Sequence, residues 1–295
     1  MILLIGLYVW AILAGMVAAP SLAILGVQLA TRDRAMQILC IGQGAMLGVL
    51  LGIGALHGFE GGILMTVGPF FSALLVSSFT YVVTEMVVKE GVASKNTVFT
   101  FIFALLIAIS HLVSSLFPGL ETHMSQIYFG DLATLSVLDS KIMLVAGLFL
   151  LAGLVIFTNS ISKGSFEMAV FGKVLNDRGR GEVAFKLVAL LTLCLSVQFV
   201  GFLFTVGMLF IPTAILSRMQ TRGLKLHLTI CALLAVSSTL IGFLLSLWQT
   251  RLPTVPTIVF LVFLEASLVV GMERLFALKI ETKWLEQPVP SEGTG

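Results

Sequence analysis

Ionisable side chains are scarce in this chain, so those inside apolar runs raise the first chemical question. Glu265, His111 and Glu85 each sit in a long hydrophobic stretch. A carboxylate or imidazole there must find a partner, lose its charge or serve a passing ion. Structural pairing is the first reading of all three, and contact with a transported species the second. A further set, Glu121, His123, Asp131 and Asp139, lies between Pro118 and Ser140. Imidazole and carboxylate groups bind divalent metals. The Glu121-Thr122-His123 spacing is weak evidence for a metal site, however, and a solvated docking loop accounts for the same residues. His57 and Glu60 read the same way. Glu265, His111 and His123 are therefore no more than weak metal-ligand candidates.

Gln43 stands among Gly42, Gly44, Gly48, Gly52 and Gly54. Gly44, Gly48 and Gly52 recur every fourth residue and share one helical face, which lets a neighbouring helix approach closely. That face either packs inside the subunit or lines a pathway or subunit seam, so Gln43, Gly44 and Gly48 are the pathway candidates. Cys40, Cys194 and Cys231 lie in apolar runs without CxxC spacing and read as core residues. No hydrolase elbow, Walker motif or zinc-protease helix is present, so nothing assigns a catalytic residue. No basic stripe with stacking aromatics is present either, which argues against nucleic acid as a partner.

The elements that must position these groups follow from composition. A hydrophobic fraction of 58% and a mean hydropathy of +1.09 exclude a soluble domain. Apolar runs of about 20 residues read as membrane-spanning helices. They lack the alternation of barrel strands. The fold class is all-α: a polytopic helical membrane protein with about nine transmembrane helices, near 2–29, 35–56, 63–88, 98–117, 141–160, 184–204, 205–217, 226–249 and 255–277. The pair across 184–217 is one apolar run that turns near Phe204 to Gly207, or contains a broken helix. The N-terminal run has no positive n-region and continues past Ala18-Ala19, so it reads as a first span rather than a cleaved signal peptide. With the N-terminus outside and the C-terminus cytoplasmic, fifteen of the 17 Lys and Arg residues fall on the inner side, and only Lys141 and Arg251 face outward. Residues 1–281 form the transmembrane domain, and 282–295 a disordered cytoplasmic tail.

The longest polar interruption, Ile161 to Lys186, falls on the inner side in this topology. It carries Lys163, Lys173, Arg178, Arg180 and Lys186, together with Phe166, Met168, Ala169, Val170, Phe171 and Leu175. Such a mixture suits a short amphipathic helix at a membrane surface, a docking surface for a soluble partner, or an ordinary solvated loop.

Three further stretches resemble one known family, the membrane permease subunits of ABC importers for zinc, manganese and iron. Tyr128-Phe129-Gly130-Asp131-Leu132, followed by Ser136 and Asp139, is similar to the family's Phe-Gly-Asp segment. Val200-Gly201-Phe202-Leu203 through Leu209-Phe210-Ile211-Pro212-Thr213-Ala214 is similar to its Gly-x-Leu-Leu…Leu-x-x-Pro-Ala segment. Leu252-Pro253-Thr254-Val255-Pro256-Thr257-Ile258-Val259 is similar to its Leu-Pro-x-Gly-Pro-x-Ile-Val segment, with Val255 where glycine is usual. The resemblance runs through all nine expected spans. It implies a permease homodimer in the lipid of a bacterial inner membrane, two cytoplasmic ATPase subunits that hydrolyse the ATP, and an extracytoplasmic metal-binding protein that delivers cargo. The permease itself would be a transport subunit with no bound cofactor, not an enzyme. Phe166, Glu167, Ala169, Phe171 and Gly172 fall where the family has its ATPase-coupling helix. The family's Asp-x-x-x-His pair in span two falls at Leu39 and Gln43, and its acidic residue before span four at Asn96. The usual metal-transit pair is therefore missing, and either other groups serve the pathway or the cargo is not a bare dication. The rival expectation is a stand-alone secondary transporter that loads its coupling ion on membrane carboxylates such as Glu265.

Overall fold

The computed structural model describes residues 2–56, 63–90, 94–117, 119–130, 132–171, 179–219, 223–249 and 251–285. Among these residues all regular structure is helical: α1 (Ile2–Ala30), α2 (Ala35–Ala55), α3 (Ile63–Glu90), α4 (Lys95–Leu116), α5 (Leu120–Phe129), a 3-10 turn (Leu132–Thr134), α6 (Val137–Ile156), α7 (Thr158–Phe171), α8 (Arg180–Phe199), α9 (Phe202–Leu216), α10 (Leu224–Trp248) and α11 (Thr254–Leu285). Eight helices, α1 to α4, α6, α8, α10 and α11, are long and apolar enough to cross a membrane. The outward-facing side chains agree: Phe71, Leu75 and Phe79 on α3, Phe149 on α6 and Leu268 on α11 all lie open at the surface. Water would not tolerate so broad an apolar belt, and lipid does.

The remaining expected span, the seventh at 205–217, is α9, which is apolar but only 15 residues long. At 1.5 Å per residue that is about 22 Å, short of a hydrocarbon core of about 30 Å. The division expected near Phe204 to Gly207 falls earlier, at Gly201, whose φ of 99° ends α8 and starts α9. A side chain there would collide with Gly130, which is itself at φ 73°. The two glycines let backbones cross at a point where the apolar run shows no break in hydropathy. The segment between spans four and five also departs from the expected solvated loop. It folds into α5 and the 3-10 turn, and Leu120, Ile127 and Leu132 are buried. The expected tail limit at 282 is passed by α11, which runs on to Leu285; residues 286–295 lie outside the described residues.

Helix ends follow local chemistry. Ser94 caps α4 by accepting from Thr97 N at 3.3 Å, and Ser136 caps α6 by accepting from Asp139 N at 3.1 Å. The helices then sort into two groups. α1 packs against α6, α9 and α10, with α11 beyond; α2 packs against α3, α4 and α8. Ala18, Ala19, Leu22 and Ala23 on α1 lie at the centre of the larger core.

The glycine face of α2 meets α3. A Cβ on Gly48 would stand 2.5 Å from Ala73 Cα, and one on Gly44 2.5 Å from Thr80 Oγ1. Ser72 Oγ donates to Gly48 O at 2.7 Å across the same seam. Gly48→Val should therefore force the helices apart at a cost of about 1–3 kcal/mol. Thermal unfolding in detergent measures this, and an unchanged melting temperature would contradict the packing.

Candidate functional site

At one end of the bundle α7 lies across the base of α1 and α8. Its buried residues recur at helical spacing. Ile161, Gly164 and Ser165 are buried, whereas Phe166, Val170 and Phe171 are 65%, 56% and 57% exposed. Glu167 is partly covered on the same helix, and Ala169 is within it. Gly172 lies outside the described residues.

The buried side of α7 is held by charge. Arg32, in the turn between α1 and α2, is fully enclosed and meets Glu182 of α8, Nη1 to Oε1, at 2.5 Å; their side chains are 1% and 7% exposed. Its Nε donates to Ser165 Oγ at 3.1 Å, and its Nη2 to the Ile161 carbonyl at 2.9 Å. The guanidinium lies 4.1 Å from the centre of the Phe185 ring. Ser165 Oγ donates to Gln28 Oε1 at 2.6 Å, and Gln28 Nε2 donates to Ser162 Oγ at 3.2 Å. Gly164 makes room for this cluster, since a Cβ there would come within 2.7 Å of Arg32 Nη2. Buried charges need such complete pairing. Sequence reasoning read Arg32 only as an inner-side cation and passed over Glu182. A pair separated by 150 positions leaves no local pattern.

At the opposite end a recess of about 230 Å³ opens between α2, α3, α5, α6 and α8. Its polar lining includes Thr66, His123, Gln126, Ser136, Asp139 and Gln198. Asp139 accepts from Thr66 Oγ1 at 3.1 Å and from Ser136 Oγ at 2.6 Å. Gln198 Nε2 donates to Thr66 O at 2.6 Å, while Gln198 Oε1 is buried with no hydrogen-bond partner among the described residues. A second cavity of about 190 Å³, mostly apolar, lies toward the α7 end and is lined by Leu29, Gln37, Ile41, Tyr81, Phe185 and Leu193, among others. Between the two, Met46, Cys194 and Val197 are fully buried, and Ser77 Oγ touches Cys194 Sγ at 3.0 Å.

The other candidates are scattered. Gln43 is buried between α2 and α4, with Nε2 3.5 Å from Ser110 Oγ and Oε1 unpartnered among the described residues. Leu39, one turn earlier, packs into an apolar cluster. Glu265 Oε2 accepts from Ser237 Oγ at 2.6 Å and Ser238 Oγ at 2.8 Å, both on α10. Glu85 pairs with Arg34 at 3.0 Å and accepts from Gln37 Nε2 at 3.0 Å. His111 is exposed on α4, beside a wide groove that also includes Glu121 and Tyr128. Among the described residues no three His, Cys, Asp or Glu side chains gather where they could hold a metal ion, so His111, His123 and Glu265 do not form one site.

Such a bundle, with a partly apolar helix clamped across one end and a polar recess at the other, defines a multi-pass membrane transport subunit. Residues 5–272 match the model of the ABC 3 transport family, and the chain belongs to that family as an ABC transporter permease. Among solved structures, PsaBC from Streptococcus pneumoniae in complex with Fab is similar, with a TM-score of 0.71 and 17% identity over 91% of this chain and 94% of that one. An inward-facing structure described as a metal-chelate type ABC transporter is similar with a TM-score of 0.61 and 17% identity, over 91% of this chain and 87% of that one. No curated protein sequence matches.

Proposed function

We propose that this chain is the permease of an ATP-driven bacterial importer for divalent metal ions, zinc first, then manganese or iron. Two copies form the pathway in the inner membrane. Each docks one cytoplasmic ATPase subunit through α7, and an extracytoplasmic metal-binding protein delivers cargo to the opposite face. The observation that carries this reading is the set of exposed apolar side chains Phe166, Val170 and Phe171 on a helix anchored by buried charge. Exposed apolar side chains at the end of a membrane bundle suit a groove on a partner protein. The similar solved structure described as of metal-chelate type supports metal as the cargo class.

The polar recess supplies one carboxylate, one imidazole, carboxamides and hydroxyls. That donor set suits a divalent ion keeping part of its water shell better than a fully stripped one. With Leu39 and Gln43 in place of the family's pair, the recess is where cargo first meets protein ligands. Alternating access requires ATP to favour one state of the dimer over the other. The stretch from the recess to the α7-end cavity, closed by Met46, Cys194 and Val197, is what that switch must open.

Metal uptake into vesicles that contain this chain and its ATPase, measured for zinc, manganese and iron(II), tests the proposal. ATP-dependent accumulation of one of them is the expected result, and ATP-independent uptake would overturn it. Glu265 is the residue at which the secondary-transport alternative is tested. Glu265→Gln keeps an acceptor for Ser237 and Ser238, so uptake should stay within about twofold of the original. Loss of uptake with a shifted pH profile would instead make Glu265 a coupling group.

A further inference from the structure

We propose that Arg32 and Glu182 are positioning residues for transport: they form the joint that carries movement of α7 into α1 and α8, and through α8 to the recess at the far end. The inference rests on the reading of α7 as the ATPase-docking helix.

Three features of the pair carry it. The first is direction. The guanidinium reaches three different places at once: Ser165 and the Ile161 carbonyl on α7, and Glu182 on α8, while its own backbone lies in the turn that follows α1. A planar fork with each arm bonded fixes angle as well as distance. Gln28, on the last turn of α1, repeats the link through Ser162 and Ser165. The second feature is enclosure. A buried ion pair adds little cohesion over well-packed apolar side chains of similar volume, because desolvation consumes most of the attraction. Simple adhesion of α7 would need only hydrophobic side chains here, whereas a joint that transmits rotation needs the directional bonds.

The third feature is the route. Glu182 stands in the first turn of α8, and Gln198 stands in the last turn and lines the recess. The sixteen residue steps from one to the other, at 1.5 Å each, span about 24 Å of unbroken helix. α8 then ends at Gly201, where the φ of 99° separates it from α9. A push at α7 thus moves a rigid rod whose far end carries the Gln198 amide against Thr66. The rod itself carries Cys194 and Val197, which pack with Met46 of α2 in the buried cluster between the two cavities.

The test uses the full complex of this permease and its ATPase in proteoliposomes, with zinc, manganese and iron(II) as probes. Metal accumulated per ATP hydrolysed is the readout. Arg32→Met/Glu182→Leu replaces the pair by apolar side chains and leaves no orphaned charge. It should insert, retain the ATPase and hydrolyse ATP, yet move about tenfold less metal per ATP. Arg32→Lys keeps the charge but cannot hold Ser165, Ile161 and Glu182 together, and should give a smaller loss in the same ratio. If the double variant fails to assemble, Arg32→Lys alone decides. A variant complex that keeps the original metal-to-ATP ratio overturns the inference, even if its yield falls, because the pair would then only hold the fold together. The unsubstituted complex is the control for the docking reading. If it takes up none of the three ions, the proposed function fails first, independently of the pair.

Discussion

Phe166→Asp/Phe171→Asp permease is expected to insert and fold normally but to lose its ATPase partner. Both rings stand more than half exposed on α7, and neither belongs to the buried cluster that holds the helix in place. Charges there cost the isolated subunit little. In a complex the same rings would fill pockets on the partner, and buried aromatic anchors carry a large share of interface energy. Loss of even one such anchor, at about 2 kcal/mol, lowers affinity roughly thirtyfold. Carboxylates at both positions would add an uncompensated desolvation cost. Co-purification of tagged permease with the ATPase measures the effect, alongside the melting temperature of the permease alone. A complex recovered undiminished would remove α7 as the docking element. A permease that no longer folds would instead place the two rings in the core.

The second large effect is expected at Gly130. Its φ of 73° and ψ of 154° lie in a region open essentially to glycine alone. Its missing side chain also leaves space for the Val200 carbonyl, against which any Cβ would collide. Gly130→Val should cost roughly 1–3 kcal/mol in backbone strain and about 1–3 kcal/mol more in overpacking. Against a typical stability of about 5–15 kcal/mol this is a large fraction. Folded yield in membranes should fall sharply and thermal unfolding should shift downward. Gly119 offers a control. It too has positive φ, at 92°, but nothing lies within 4 Å of a Cβ placed there, so Gly119→Ala should cost much less. Equal losses at both positions would mean that strain alone, not the crossing with α9, sets the requirement for glycine.

Much of the architecture could be read from hydropathy, because a helix that crosses lipid must be apolar along its whole length. The amphipathic character of α7 was visible for a similar reason: Ile161, Gly164 and Ser165 alternate with Phe166 and Val170 at helical spacing. Other features had no local signal. The break at Gly201 lies in a uniformly apolar run, and the chain turns there because Gly130 is across from it, far away in sequence. Leu120, Ile127 and Leu132 did carry a hint that the segment between α4 and α6 packs inward, but the charges beside them dominated the reading. The Arg32–Glu182 pair and the recess around Asp139 and Gln198 depend on helix packing, which no single stretch of sequence specifies. The substitution of Leu39 and Gln43 for the family's pair was legible at once, and the recess is the structural feature that gives it a meaning.

The contact between Gly130 and Gly201 also bears on how the polypeptide is made. The backbone beside Gly130 leaves helical form and has Val200 and Gly201 as its cover. Ribosomal synthesis delivers that cover only after α6, α7 and α8 have emerged. Until then that stretch lacks its partner, so a product truncated before Val200 leaves the Gly130 backbone open to quality-control proteases.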